Sequence, residues 1–319
     1  MDLMKPVFSA LSPAGARARL SVFIFHRVLS APDPLFPDEI HAGRFDELCG
    51  WIRTWCNVLP LDKAVGQLKS GTLPARAACI SFDDGYADNF QVALPILLRH
   101  GLTSTFFIST GFLDGGRMWN DTVIESIRLT QLSKLHLDDL LGAGFAKVSI
   151  TTLEEKGAAI NSIIGRIKYL PVSERALIVE QIARRSRVRL PDHLMMTSTE
   201  VRAMRDAGMQ IGAHTVSHPI LARLDASAAR AEIHNSRCVL EKLLGERVSL
   251  FAYPNGKPEI DYNAQNAAIV RDLGFDAAFS TRWAASRVDT DLFHMPRFTP
   301  WDRTRLRFGT RILGNLWAK

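Results

Sequence analysis

The chain is poor in cysteine, with four in 319 residues: Cys49, Cys56, Cys79 and Cys238. No pair has Cys-x-x-Cys spacing, and all four fall where helix or strand cores are expected, so reduced, buried thiols are predicted. Nowhere do 18 apolar residues run together, and no membrane-spanning helix is predicted. The N-terminal stretch interrupts its apolar residues with Ser9, Ser12 and Pro13 and lacks the continuous core of a secretory signal, which makes cytoplasmic residence the expectation. Internal repeats and low-complexity tracts are absent. No basic groove studded with aromatics is visible, so nucleic acid is not an expected partner.

A hydrophobic content of 47% and a charged content of 23% are those of an ordinary globular protein. The length suits one α/β barrel with an insertion, or two smaller domains. The formal charge of +6 is modest, but Arg303, Arg305, Arg307, Arg311 and Lys319 concentrate part of it at the C-terminus. There Phe308, Ile312, Leu313 and Leu316 recur at helical spacing. The segment at about 303–319 therefore reads as a basic amphipathic tail that docks on the body or makes a peripheral contact at the inner face of a membrane.

Strands are expected at 20–25, 78–82, 104–109, 209–213, 248–252, 277–281 and 293–298, with helices at 44–58, 61–68, 88–100, 197–207, 225–244 and 262–273. This alternation predicts βαβ units and a parallel sheet. From about 111 to 196 helical periodicity dominates, with at most one strand near 147–150. We read the chain as a single catalytic domain over 1–319 with a helical insertion at about 111–196.

Residues 78–85, Ala-Cys-Ile-Ser-Phe-Asp-Asp-Gly, carry the most informative pattern. A buried strand ends in two adjacent carboxylates before a turn glycine. Like charges so close repel, and a bound cation is the strongest candidate to offset them. His26, Asp83, Asp84, His214, Asn255 and Arg297 all fall at or just beyond the C-terminal end of an expected strand, the edge on which parallel α/β folds build their sites. His214 and His218 stand four apart in His-Thr-Val-Ser-His-Pro, where Pro219 favours a loop that aims both rings at one ion. Two imidazoles and one carboxylate leave a divalent metal with open positions for water and substrate, and the second aspartate is free to act as a general base.

Ser81-Phe82-Asp83-Asp84-Gly85 and His214-Thr215-Val216-Ser217-His218-Pro219 resemble the two leading motifs of the NodB-type polysaccharide deacetylases, carbohydrate esterase family 4. Phe251-Ala252-Tyr253-Pro254-Asn255-Gly256 is similar to the third. The likeness covers about residues 20–110 and 197–300. It implies a distorted (β/α) barrel and metal-dependent removal of an acetyl group, usually an N-acetyl on a sugar. It implies Asp83 as the base and Asp84, His214 and His218 as the metal ligands. Zinc is the expected ion, and cobalt, manganese or nickel suit the same set. A backbone N–H in the turn containing Asn255 is the expected oxyanion donor.

Two departures stand out. Where much of the family carries an arginine that pairs with the base, this chain has Ala252, and Arg297 is the candidate replacement. The general acid is either His26 or His294. A strand over 293–298 would set His294 about 10 Å behind Arg297, whereas His26 lies at the site edge in Phe25-His26-Arg27-Val28, a segment that resembles the early Tyr-His-x-Val of one branch. The expected substrate is an acetylated amino-sugar glycan, from a bacterial surface polysaccharide or its precursor. Hydrolysis of a small cyclic amide and a catalytically silent carbohydrate-binding role are the alternatives.

Overall fold

The computed structural model describes residues 4–318. Its strands are β1 (Ser21–Phe25), β2 (Asn57–Val58), β3 (Ala77–Phe82), β4 (Thr105–Ile108), β5 (Lys134–Leu135), β6 (Val148–Ser149), β7 (Gln210–Ala213), β8 (Leu250–Ala252) and β9 (Ala277–Phe279). β5 and β6 form a small antiparallel pair. The others make one parallel sheet in the order β1-β3-β4-β7-β8-β9, with β2 beside the start of β3. β1, β3, β4, β8 and β9 are buried along their whole length. That is why they read as continuous apolar runs and not as alternating ones.

The strand expected over 293–298 does not form. Instead Met295 bridges to Phe279 of β9 and Phe298 bridges to Phe23 of β1. Pro296 between them has no N–H to donate and breaks the ladder into two single contacts. The Phe298 N–H donates to Val22 and the Met295 N–H to Ala278, both at 3.0 Å. An irregular segment thus links the two edges of a curled, barrel-like sheet, and Arg297 sits between its two attachment points.

Helices surround the sheet. Thr197 and Glu200 cap Ser198–Asp206 reciprocally, and the Asp225 side chain caps Ala226–Leu244, which ends at Gly245 with φ 70°. The helix expected over 88–100 is a π-helical turn, Asn89–Ala93, followed by an α-helix, Leu94–His100. Pro95 cannot supply an α-helical hydrogen bond, and the wider turn absorbs its absence. A helix absent from the sequence reading, Met4–Leu11, buries only Phe8, edge-on to Trp55 at 5.6 Å.

Helices Trp119–Leu129, Leu153–Ile167 and Val172–Ser186 pack with β5 and β6 around an apolar cluster that includes Val123, Ile127, Ile160, Ile163 and Ile182. The C-terminal helix Arg305–Trp317 docks beside β1. It buries Phe308, Ile312 and Leu316, and Asn315 donates to the Ser21 hydroxyl at 3.0 Å. Phe308 packs 5.8 Å from both Phe23 and Trp51. Phe308→Ala is expected to cost about 3–5 kcal/mol, read as a fall in the urea midpoint with unchanged slope. A loss below about 1 kcal/mol would show that this helix is not part of the folded core.

All four cysteines are free thiols. Cys49 and Cys79 are buried as expected, and Cys56 is half-buried. Cys238 corrects the expectation: it is exposed, because Ala226–Leu244 turns it outward, with its sulfur 3.5 Å from the His234 Nε2. Among the described residues no helix is long and apolar enough to cross a membrane.

Candidate active site

β1, β3 and β7 end at Phe25, Phe82 and Ala213, so the next residues in the chain are His26, Asp83 and His214, all at one edge of the sheet. The backbone there is forced into unusual conformations. Asp84, Thr215, His218 and Asn255 have φ of 76°, 66°, 52° and 59°, in the left-handed region that most side-chain-bearing residues avoid. Gly85 follows with φ 92°, and a Cβ there would meet Ile108 at 3.2 Å, so the turn after the paired acids requires glycine.

The two aspartates have different partners. Arg297 Nη1 and Nη2 each donate to one oxygen of Asp83 at 2.7 Å, a bidentate pair whose arginine is 0% exposed. Arg297 is held in turn by its Nε–H donating to the Ser280 carbonyl at 3.1 Å. Asp84 Oδ1 lies 3.4 Å from His214 Nε2 and 3.3 Å from His218 Nε2. The His214 Nδ1 is 2.7 Å from the Ala252 carbonyl. A carbonyl only accepts, so Nδ1 carries a proton and the neutral ring presents a lone pair at Nε2.

Burial works to raise the pKa of both carboxyl groups, yet both are held below the ordinary carboxylate range. Arg297 and His214 outweigh burial at Asp83, and the imidazoles, His218 foremost, do so at Asp84. At His214 burial opposes charge, but the carboxylates of Asp83 and Asp84 win and raise its pKa. His218 is pushed down to about 4 by burial, despite the pull of Asp84.

Asp84, His214 and His218 present ligand atoms within 4.8 Å of one another. Asp84 Oδ1 is buried without a hydrogen-bond partner. A buried acceptor facing two imidazole nitrogens is the arrangement a divalent cation satisfies, so this donor set fits a metal.

Asp83, Asp84 and His218 all feel the charge of His26, an exposed residue that lines the cavity in front of the pair. His294 instead bonds the Tyr262 hydroxyl at 3.0 Å. In the third-motif turn, the Tyr253 N–H donates to Phe279, the Gly256 N–H donates to Pro254, and a proline has none. The Asn255 N–H is therefore the donor this turn can offer.

Several supporting residues escaped the sequence reading. Glu232 accepts the Val216 and Ser217 N–H groups, each at 2.9 Å, and fixes the loop between the two histidines. Asp88 accepts from Arg27 Nε at 2.8 Å and from the Val28 N–H at 3.1 Å, which sets the turn that carries His26. Its position four residues after Asp84 was the only available signal. Asp121, at the start of Trp119–Leu129, accepts from the Tyr86 hydroxyl at 3.1 Å. Burial, opposed by Arg27 and reinforced by the Asp84 charge, pushes the Asp121 carboxyl up to about 7. Arg27, Tyr86 and Asp121 line a cavity of about 1200 Å³ together with Asp84.

A curled parallel sheet with an arginine-paired carboxylate beside a carboxylate–imidazole cluster defines a barrel protein with a cation-ready centre. Within this chain, residues 176–278 match the polysaccharide deacetylase family model. The Streptococcus pyogenes deacetylase PplD, solved in complex with acetate, superposes with a TM-score of 0.61 at 16% identity, covering 94% of this chain and 99% of that one. A de-N-acetylase from Aggregatibacter actinomycetemcomitans gives 0.59 at 16% identity, covering 91% and 99%. YxkH of Bacillus subtilis is 17% identical over 287 residues, 89% of this chain and 72% of that protein. At such identities the two structures bear on the fold.

Proposed function

We propose that the chain is a metal-dependent hydrolase that removes acetyl groups, foremost N-acetyl, from an amino sugar of a bacterial surface polysaccharide or its saccharide precursor. The observation that carries this is the division of the buried acid pair: Arg297 engages Asp83, while Asp84 faces two imidazole nitrogens with an unpartnered oxygen. The match of residues 176–278 to the polysaccharide deacetylase model supports it, as do the acetate bound to PplD and the name of the Aggregatibacter neighbour.

Asp84, His214 and His218 would hold the ion, with zinc first among zinc, cobalt, manganese and nickel. When bound, it supplies Lewis-acid polarisation of the acetyl carbonyl and lowers the pKa of water. Asp83, kept ionised by Arg297, takes the proton of the attacking water as the C–O bond forms. The Asn255 N–H can donate to the carbonyl oxygen as negative charge grows there. His26, at the mouth of the site, gives a proton to the departing nitrogen as the C–N bond breaks, so that acetate and a free amine leave.

Acetate release from a panel of N-acetylglucosamine oligomers, O-acetylated glycans and cyclic amides, using zinc-loaded protein, tests this function. Release from the amino-sugar oligomers is expected. Turnover of cyclic amides alone would overturn the substrate class, and no turnover with a loaded metal would favour a silent binding protein. His26→Ala is expected to lower kcat by about 10²-fold or more, and His294→Ala to leave it within about threefold by the same criterion. The reverse ranking would reassign the acid.

A further inference from the structure

Three buried oxygens without a hydrogen-bond partner belong to residues lining the same cavity: Asp84 Oδ1, Asn120 Oδ1 and Asp121 Oδ2. The first is accounted for by a cation. The other two are adjacent in sequence, at the first turn of Trp119–Leu129, and no part of the deacetylation chemistry uses them.

Asp121 is 3% exposed, and only Oδ1 is engaged, by the Tyr86 hydroxyl. Tyr86 directly follows the turn that carries Asp84, its hydroxyl holds Asp121, and all three residues line the one cavity, so the free oxygen belongs to the same cavity as the reacting centre. Arg27, whose charge also acts on Asp121, directs its Nε to Asp88 and lies over the Tyr86 ring at 4.6 Å. Arg128, another cation of the cavity wall, is occupied by Asp33 and Glu125. An unmet, buried acceptor is unfavourable unless a donor arrives. Here that donor is left to whatever enters the cavity.

We propose that Asp121, with Asn120 beside it, is a specificity-determining residue that accepts hydrogen bonds from the ring hydroxyl or amide N–H donors of the saccharide next to the scissile acetyl group. This rests on the proposed deacetylase function and adds to it. The acceptors favour a donor-dense sugar over a cyclic amide or a simple ester, which bring few donors or none. Leaving a sugar donor unmet in this buried site corresponds to about 10- to 100-fold in kcat/KM.

The test compares zinc-loaded wild type, Asp121→Ala and Asp121→Asn on tetra-N-acetylglucosamine and on 4-nitrophenyl acetate, reading the ratio of the two kcat/KM values. Asp121→Asn keeps the shape and an acceptor for Tyr86, so it answers the question if the alanine variant does not fold. In both variants the ratio is expected to fall about 10- to 100-fold in disfavour of the saccharide, mainly through KM. A ratio within twofold of wild type, whether both rates drop together or neither drops, overturns the inference alone. Wild type that releases no acetate from any acetylated saccharide overturns the proposed function, and the inference with it.

Discussion

Asp83→Asn is expected to lower kcat by roughly 10³-fold while cation binding survives. The substitution keeps the side-chain shape but removes the proton acceptor, and Asp83 is not among the three residues whose ligand atoms converge. Asp84→Asn should do the opposite, because Asp84 Oδ1 is the atom both imidazoles face, and zinc affinity itself should collapse. Zinc titration followed by acetate release at saturating metal separates the two. Asp83→Asn within tenfold of wild type would remove Asp83 as the base. Asp84→Asn with wild-type zinc affinity would remove Asp84 as a ligand.

Arg297→Met is expected to be the most damaging change to the fold around the site. It leaves Asp83 buried and unpaired, and breaking a buried ion pair typically costs about 3–5 kcal/mol. The pH dependence has a definite sign. Asp83 is held below the ordinary carboxylate range, so the stabilisation by the pair is complete above that range and is lost as pH falls through the depressed native value. Without the guanidinium, burial dominates and the Asp83 pKa rises. The acid limb of kcat/KM should then move to higher pH, and the loss of stability should be largest at neutral pH and shrink on acidification. Arg297→Lys keeps the charge but not the fork and should fall between. Unfolding of the metal-free proteins in urea from pH 4 to 8 checks the stability, and the rate profile of zinc-loaded protein checks the base. An Arg297→Met enzyme with an unmoved acid limb would show that another group keeps Asp83 ionised.

The proposed ligand set could be picked out in the chain because each member directly follows or closely trails a strand whose apolar run is unmistakable. The carboxylates after Phe82 and the histidine after Ala213 announce themselves by position. Arg297 was reachable only as a replacement for the arginine missing at Ala252, since nothing local in Met295-Pro296-Arg297-Phe298 predicts which carboxylate it meets 214 residues away. The same four residues misled at the level of secondary structure. Their apolar content suggests a strand, while Pro296 permits only two bridges. Asp121 and Glu232 were invisible for a different reason. Each lies on a helix that reads as ordinary in isolation, and its role arises only when the tertiary fold turns that helix toward the site. Cys238 failed likewise, since its helix has one buried face and the cysteine lies on the other.

The central assignment is a cation held by Asp84, His214 and His218 that enables Asp83 to serve acetyl hydrolysis. Its most direct test is acetate release from N-acetylglucosamine oligomers by chelator-stripped protein, titrated with zinc. Activity should be negligible before addition, rise linearly and reach a plateau at one equivalent, with no recovery in His214→Ala. Full activity in the stripped protein, or zinc binding at one equivalent without acetate release from any acetylated saccharide, would contradict it.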